Sequence, residues 1–136
     1  MITFISQITG TMAIKILLVG LGGGLGSILR FLTSTYINRW YIQAFPMGTF
    51  VVNIVGCFLI GLLMAMAGKY LNEDLRLLLI TGFCGGYTTF STFSAENMFL
   101  LQNGNYATLG LYILASVAVG LLAVWLGDAL VNWIYE

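Results

Sequence analysis

The residues best suited to chemistry lie in one run, Gly82-Phe83-Cys84-Gly85-Gly86-Tyr87-Thr88-Thr89-Phe90-Ser91-Thr92-Phe93-Ser94. Its second half holds five hydroxyls in seven residues: Thr88, Thr89, Ser91, Thr92 and Ser94. Phe90 and Phe93, three positions apart, share a helix face. Hydroxyls donate hydrogen bonds, and ring edges carry partial positive charge. Both suit a small anion. The competing reading is that each Thr and Ser bonds back to its own helix while the rings fill a core. Gly82, Gly85 and Gly86 disfavour a continuous helix, and a break there exposes peptide groups. Broken helices are a common way to build an ion site in a membrane. Glu96 follows one turn beyond Phe93, placed to pair or to meet water.

Two more polar residues stand in apolar surroundings. Asn53 occupies the middle of a hydrophobic stretch, where an amide costs free energy unless it is hydrogen-bonded or faces water. It either lines a pore or joins two helices, a contribution of about 0.6 to 2 kcal/mol. Arg30 follows Leu29 and precedes Phe31; it either marks function within the membrane or reaches the headgroups. Other chemistry is excluded by type. The chain has no His, the commonest general base and metal ligand. Cys57 and Cys84 lie in apolar stretches and read as small buried residues. No G-x-G-x-x-G register fits the glycine run before Arg30, and no nucleophile elbow or metal-ligand cluster occurs. These absences argue against an enzyme, and a formal net charge of zero argues against a nucleic-acid partner.

The elements that must position these residues are membrane helices. Of 136 residues, 60% are hydrophobic and 7% charged, against about 25% charged in a soluble domain. A span needs roughly 20 apolar residues, which leaves room for about four. Span one is expected over 13–32, with Lys15 snorkelling at its start, and a polar connection over 33–43. Pro46 suits a helix start, so span two runs over 47–67, followed by a connection over 68–74. Span three covers 75–101 with its glycine interruption, a tight turn covers 102–105, and span four covers 106–126. Residues 128–136 extend span four into the interface. Residues 1–12 are an N-terminal segment, read as interfacial, ahead of a transmembrane domain over 13–136. Trp40, Tyr41, Trp133 and Tyr135 fit aromatic belts. With an even number of spans, Lys15, Lys69 and Arg76 fall on one side and Arg39 and Arg30 on the other, too even a division to set orientation. Gly20 with Gly24, Gly22 with Gly26 and Gly82 with Gly86 are G-x-x-x-G pairs that let helix backbones approach.

At these residues the chain resembles the CrcB/Fluc family of fluoride ion channels, over nearly its whole length after the first dozen residues. Four motifs match in order: Gly-Gly-Gly-Leu-Gly-Ser-Ile-Leu-Arg ending at Arg30; Gly48-Thr49-Phe50-Val51-Val52-Asn53 with Gly56; the run from Gly82 to Ser94; and Tyr112 with Ser116. The resemblance implies an all-α, multi-pass protein of the cell inner (plasma) membrane, with four transmembrane helices and a broken third. It implies an antiparallel, dual-topology homodimer enclosing two pores that passively export cytoplasmic fluoride. Phe90 and Phe93 match the aromatic box and Asn53 the pore-facing amide. Tyr112 and Ser116 match the polar track, and Thr89, Ser91 and Thr92 match the hydroxyl-bearing pore wall. Arg30 matches the basic residue near the aqueous entrance. Gly85 and Thr88 match backbone carbonyls holding a structural sodium ion at the dimer interface. One departure is Gly120, where some relatives carry Ser.

Two other classes compete. A small multidrug or cation antiporter can also use four spans and dual topology, but it needs an intramembrane carboxylate, for which Glu96 is the sole candidate. A non-transporting assembly subunit would explain the glycines, though not the hydroxyl and phenylalanine run.

Overall fold

The computed structural model describes the backbone of residues 1–136 and the side chains of all but Phe4. The chain is all-helical: α1 (Ile2–Trp40), α2 (Met47–Ala67), α3 (Glu73–Arg76), a π-helix (Leu77–Cys84), α4 (Gly85–Tyr87), α5 (Phe90–Gln102) and α6 (Tyr106–Tyr135). Three helices are long and apolar enough to cross a membrane: Ile5–Trp40 of α1, then α2, then α6. Their large apolar side chains point outward in number, among them Leu17, Leu21, Leu25, Leu114, Leu121 and Trp125. An apolar exterior of this extent fits lipid rather than water as solvent. The protein is a multi-pass membrane protein.

Helix α1 is longer than its composition suggests. It begins at Ile2 instead of residue 13 and continues to Trp40, through the stretch expected to form a connection. Several hydroxyls along α1 are satisfied by its own carbonyls. Ser34 Oγ donates to the Arg30 carbonyl at 2.9 Å, and Thr9 and Thr11 do the same to Ile5 and Gln7. No proline intervenes before Pro46. The first connection therefore shrinks to Tyr41–Pro46, and α2 starts just after the proline as its fixed φ favours.

Two pairs of parallel neighbours build the bundle: α2 lies along α6, and α1 lies along the π-helix and α4. Glycine sets the second contact. A Cβ on Gly22 would collide with the Leu78 carbonyl, one on Gly26 with the Phe83 carbonyl, and one on Gly86 with the Gly23 backbone. Two of the three small-residue pairs, Gly22 with Gly26 and Gly82 with Gly86, thus face each other. Gly20 and Gly24 meet nothing within 4 Å and point away from this contact. On the other side, Gly61 approaches Val124, and Gly127 approaches Phe58 and Leu62.

The same contact corrects the position of the helix break. Gly82, Gly85 and Gly86 lie inside continuous helix, where close approach to α1 is the use of Gly82 and Gly86, while Gly85 faces open space. The interruption falls two residues later, at Thr88 and Thr89, which are extended (φ −82°, ψ 158° and φ −149°, ψ 116°). Wide π-turns precede it over Leu77–Cys84, a form often found at functional sites. Beyond the break, α5 ends at the turn carrying Gly104 in the left-handed region, φ 69°, and Asn105 caps α6 through the Thr108 N–H.

On the N-terminal side of the bundle, Lys15 bonds Glu73 at the start of α3. Asn72 caps that helix by accepting from the Leu75 N–H at 2.9 Å. Nearby, the Tyr70 and Tyr135 rings lie 4.6 Å apart.

Candidate functional site

The break at Thr88–Thr89 interrupts the helical ladder, and its peptide groups need partners. Asn53, from the middle of α2, supplies them. Its Nδ2 donates to the Thr89 carbonyl at 3.1 Å, and the Thr89 N–H donates to its Oδ1 at 2.8 Å. Thr88 Oγ1 bonds back to the Cys84 carbonyl at 2.9 Å. Thr89 Oγ1 caps α5 by accepting from the Thr92 N–H at 3.2 Å, donates to Thr92 Oγ1 at 3.0 Å and lies 3.3 Å from Ser91 Oγ. Thr88 thus closes on its own helix, while Thr89, Ser91 and Thr92 form a linked cluster of hydroxyls.

A cavity of about 580 Å³ opens beside the break. Asn53, Gly85, Thr88, Thr89, Phe90, Phe93 and Ser116 all border it, so most of the candidate residues meet at one place. Phe90 and Phe93 have centroids 5.8 Å apart, and Phe90 is 78% exposed on this open face. Cys57 and Cys84 border the cavity as well, both as free thiols. On the other side of Thr89 a second cavity of about 200 Å³ is bordered by Arg30, Ser34, Thr49, Thr89 and Thr92. Thr89 borders both.

Tyr112 departs from simple track lining. It is fully buried, with its ring 4.9 Å from Phe93 and 5.2 Å from Phe45. Its hydroxyl donates to Glu96 Oε2 at 2.8 Å, and Thr49 Oγ1 donates to Glu96 Oε1 at 2.6 Å. The carboxylate is thus held by α2 and α6 together. Thr49 had no signal in sequence beyond lying in the second motif, because its partner is 47 residues away. Ser116, one turn beyond Tyr112, borders the larger cavity, and Gly120 follows against Cys57 Sγ and Ile54. A Cβ at Gly120 would sit 3.5 Å from that sulfur, an ordinary contact, so the absence of a side chain there is not required by space.

Gly85 and Thr88 can be judged as cation ligands on their surroundings. In an unbroken helix the Thr89 N–H would bond the Gly85 carbonyl; here it is given to Asn53. The Gly85 oxygen is left at a helix C-terminal end, where partial negative charge collects. Peptide oxygens are hard donors suited to a hard cation. Among the described residues, no group of three His, Cys, Asp or Glu side chains converges to hold another kind of metal.

Comparison with known proteins identifies the family. Residues 17–128 match the family described as CrcB-like protein, Camphor Resistance (CrcB). A protein of Azobacteroides pseudotrichonymphae described as fluoride-specific ion channel FluC is 52% identical over 121 residues, covering 88% of this chain and 97% of the relative. Proteins with the same description from Phocaeicola vulgatus and Flavobacterium psychrophilum are 50% and 51% identical, covering 83% and 80% of this chain and 94% and 90% of their own lengths. The family match spans the α1 contact, the broken helix, Asn53, Glu96 and Tyr112, and the chain belongs to the CrcB/Fluc family.

Proposed function

We propose that the protein is a fluoride-selective channel that passively exports cytoplasmic fluoride across the cell inner membrane. The observation that carries this reading is the meeting, at one broken helix, of neutral donors (Asn53, Ser116) with the Phe90 and Phe93 rings. Fluoride is small and strongly hydrated, so a selective path must replace its water with donors. Neutral groups do this without the deep trap that a fixed charge makes, and conduction needs binding weak enough to leave. Arg30 draws the anion into the smaller cavity. Thr89, Ser91 and Thr92 pass it along the break, and the ring edges and Asn53 hold it beside Ser116. Tyr112 backs the Phe93 ring and fixes Glu96.

In this account the path from α3 through α5 makes the fourth crossing, in two halves. Two copies pack antiparallel, each covering the other's open cavity, and two pores result. Support comes from the exposed Phe90 ring and from the even distribution of Lys and Arg. The Gly85 and Thr88 carbonyls would hold sodium at the join between copies, where it supplies a fixed positive charge near the anion path. Residues 1–12, continuous with α1, lie at the interface beyond Lys15.

Glu96 keeps a proton-coupled antiporter in view, since it is a carboxylate with two hydroxyl donors inside the bundle. Full fluoride flux in Glu96→Gln would remove that reading. The channel reading is tested in a bacterium lacking its own fluoride exporter. Expression of this chain should restore growth on fluoride, and a Phe93→Ile chain expressed equally should not. No rescue by the wild-type chain, shown to be folded in the membrane, would count against it.

A further inference from the structure

Asn53 and Thr89 are joined twice, and the two bonds together settle which way the amide faces. Oxygen and nitrogen of an Asn side chain are told apart by their partners. Here the partners are the N–H and the C=O of one extended residue, Thr89. Turned over, the amide would set NH2 against N–H and oxygen against oxygen, losing both bonds at a residue only 8% exposed. A single orientation satisfies the site. An amide nitrogen carries two hydrogens. One goes to the Thr89 carbonyl, and the second is left over at a residue that borders the cavity with Phe90, Phe93 and Ser116.

We propose that Thr89 is a positioning residue, whose peptide group clamps the Asn53 amide so that one N–H is permanently offered to an anion in the cavity. The inference rests on the fluoride-channel reading and adds to it. The same bonds that close the helix break also orient the donor, so the ion meets a group that need not turn to receive it. Such preorganisation lowers the cost of binding. Thr89 is itself fixed by capping α5 with its hydroxyl, so the clamp is anchored from both sides of the break.

The test is solid-state NMR on the full chain in lipid bilayers, with 15N in the asparagine side chains and 19F-fluoride as probe. The Asn53 signal is assigned by its loss in Asn53→Ser. One amide proton should shift and show contact with 19F, while its sibling, bonded to the Thr89 carbonyl, stays unmoved. Movement of both protons, or of neither, in protein that conducts fluoride would overturn the proposal. Protein that conducts no fluoride would instead count against the function itself. A second variant replaces Thr89 by its α-hydroxy acid analogue, which removes the N–H given to Asn53 and also weakens the Thr88 carbonyl, so Asn53→Ser serves as the background that controls for the carbonyl. Flux should fall about tenfold in the wild-type background and not at all in Asn53→Ser. Equal flux with and without that N–H in the wild-type background would also overturn it.

Discussion

Replacing Phe93 by Ile isolates what the ring does. Phe93 stands between Phe90, at 5.8 Å and 37°, and Tyr112, at 4.9 Å and 59°. Each aromatic pair is worth about 0.5–1.5 kcal/mol beyond simple burial, so the substitution removes about 1–3 kcal/mol of ring–ring attraction. Isoleucine remains apolar, so the helix keeps its place while the ring edge is lost. If the edge stabilises the ion at its least favourable position by a similar amount, flux falls by about 5- to 150-fold, at about 1.4 kcal/mol per factor of ten. The assay is fluoride efflux from liposomes, with gel filtration and circular dichroism confirming an unchanged fold and assembly. Flux within twofold of wild type, in a variant that assembles normally, would refute the argument that the ring edge takes part in conduction.

Tyr112→Phe keeps both ring contacts but deletes the hydroxyl bonded to Glu96 at 2.8 Å. Loss of that hydrogen bond should cost about 0.5–1.5 kcal/mol, read as a lower denaturation midpoint in detergent; an unchanged midpoint would contradict the placement of Glu96. Gly22→Ala drives a methyl into the Leu78 carbonyl and should destabilise by about 1–3 kcal/mol or more. Gly24→Ala, which meets open space, should be neutral or gain up to about 1 kcal/mol of helix propensity, and equal unfolding temperatures for the two would contradict the α1 contact. Glu73 is held below the ordinary glutamate value of 4.5 by its bond to Lys15 and by that residue's charge. Because the folded value is the lower one, its contribution is present above the unfolded value and lost as pH falls through the folded one. The stability gap between wild type and Glu73→Gln should therefore be flat near neutrality and close below about pH 4.5, and a gap that widens on acidification would be wrong in sign.

Much of the architecture is legible because lipid constrains it. The apolar run after Pro46 gives α2 its observed bounds, and Asn105 with Gly104 marks the turn into α6 where a turn is expected. Legibility fails where polar side chains have two uses. Ser34 looks like part of a connection, yet it bonds to a helix carbonyl, and the helix runs on to Trp40. Glycine misleads in the same way. Propensity alone assigns the break to Gly82–Gly86, but close approach to α1 makes glycine necessary within a helix there. The break belongs to Thr88–Thr89 because Asn53, 36 residues away, can satisfy its peptide groups. The Phe90 and Phe93 pairing follows from spacing alone. The bonds from Thr49 and Tyr112 to Glu96 do not, since they join three helices and no local pattern encodes them.

The most direct test of the account is ion efflux from liposomes containing only this protein, followed with fluoride- and chloride-selective electrodes. Rapid release of fluoride with chloride retained is the expected result. Folded, assembled protein that releases no fluoride, or that releases chloride as readily, would contradict it.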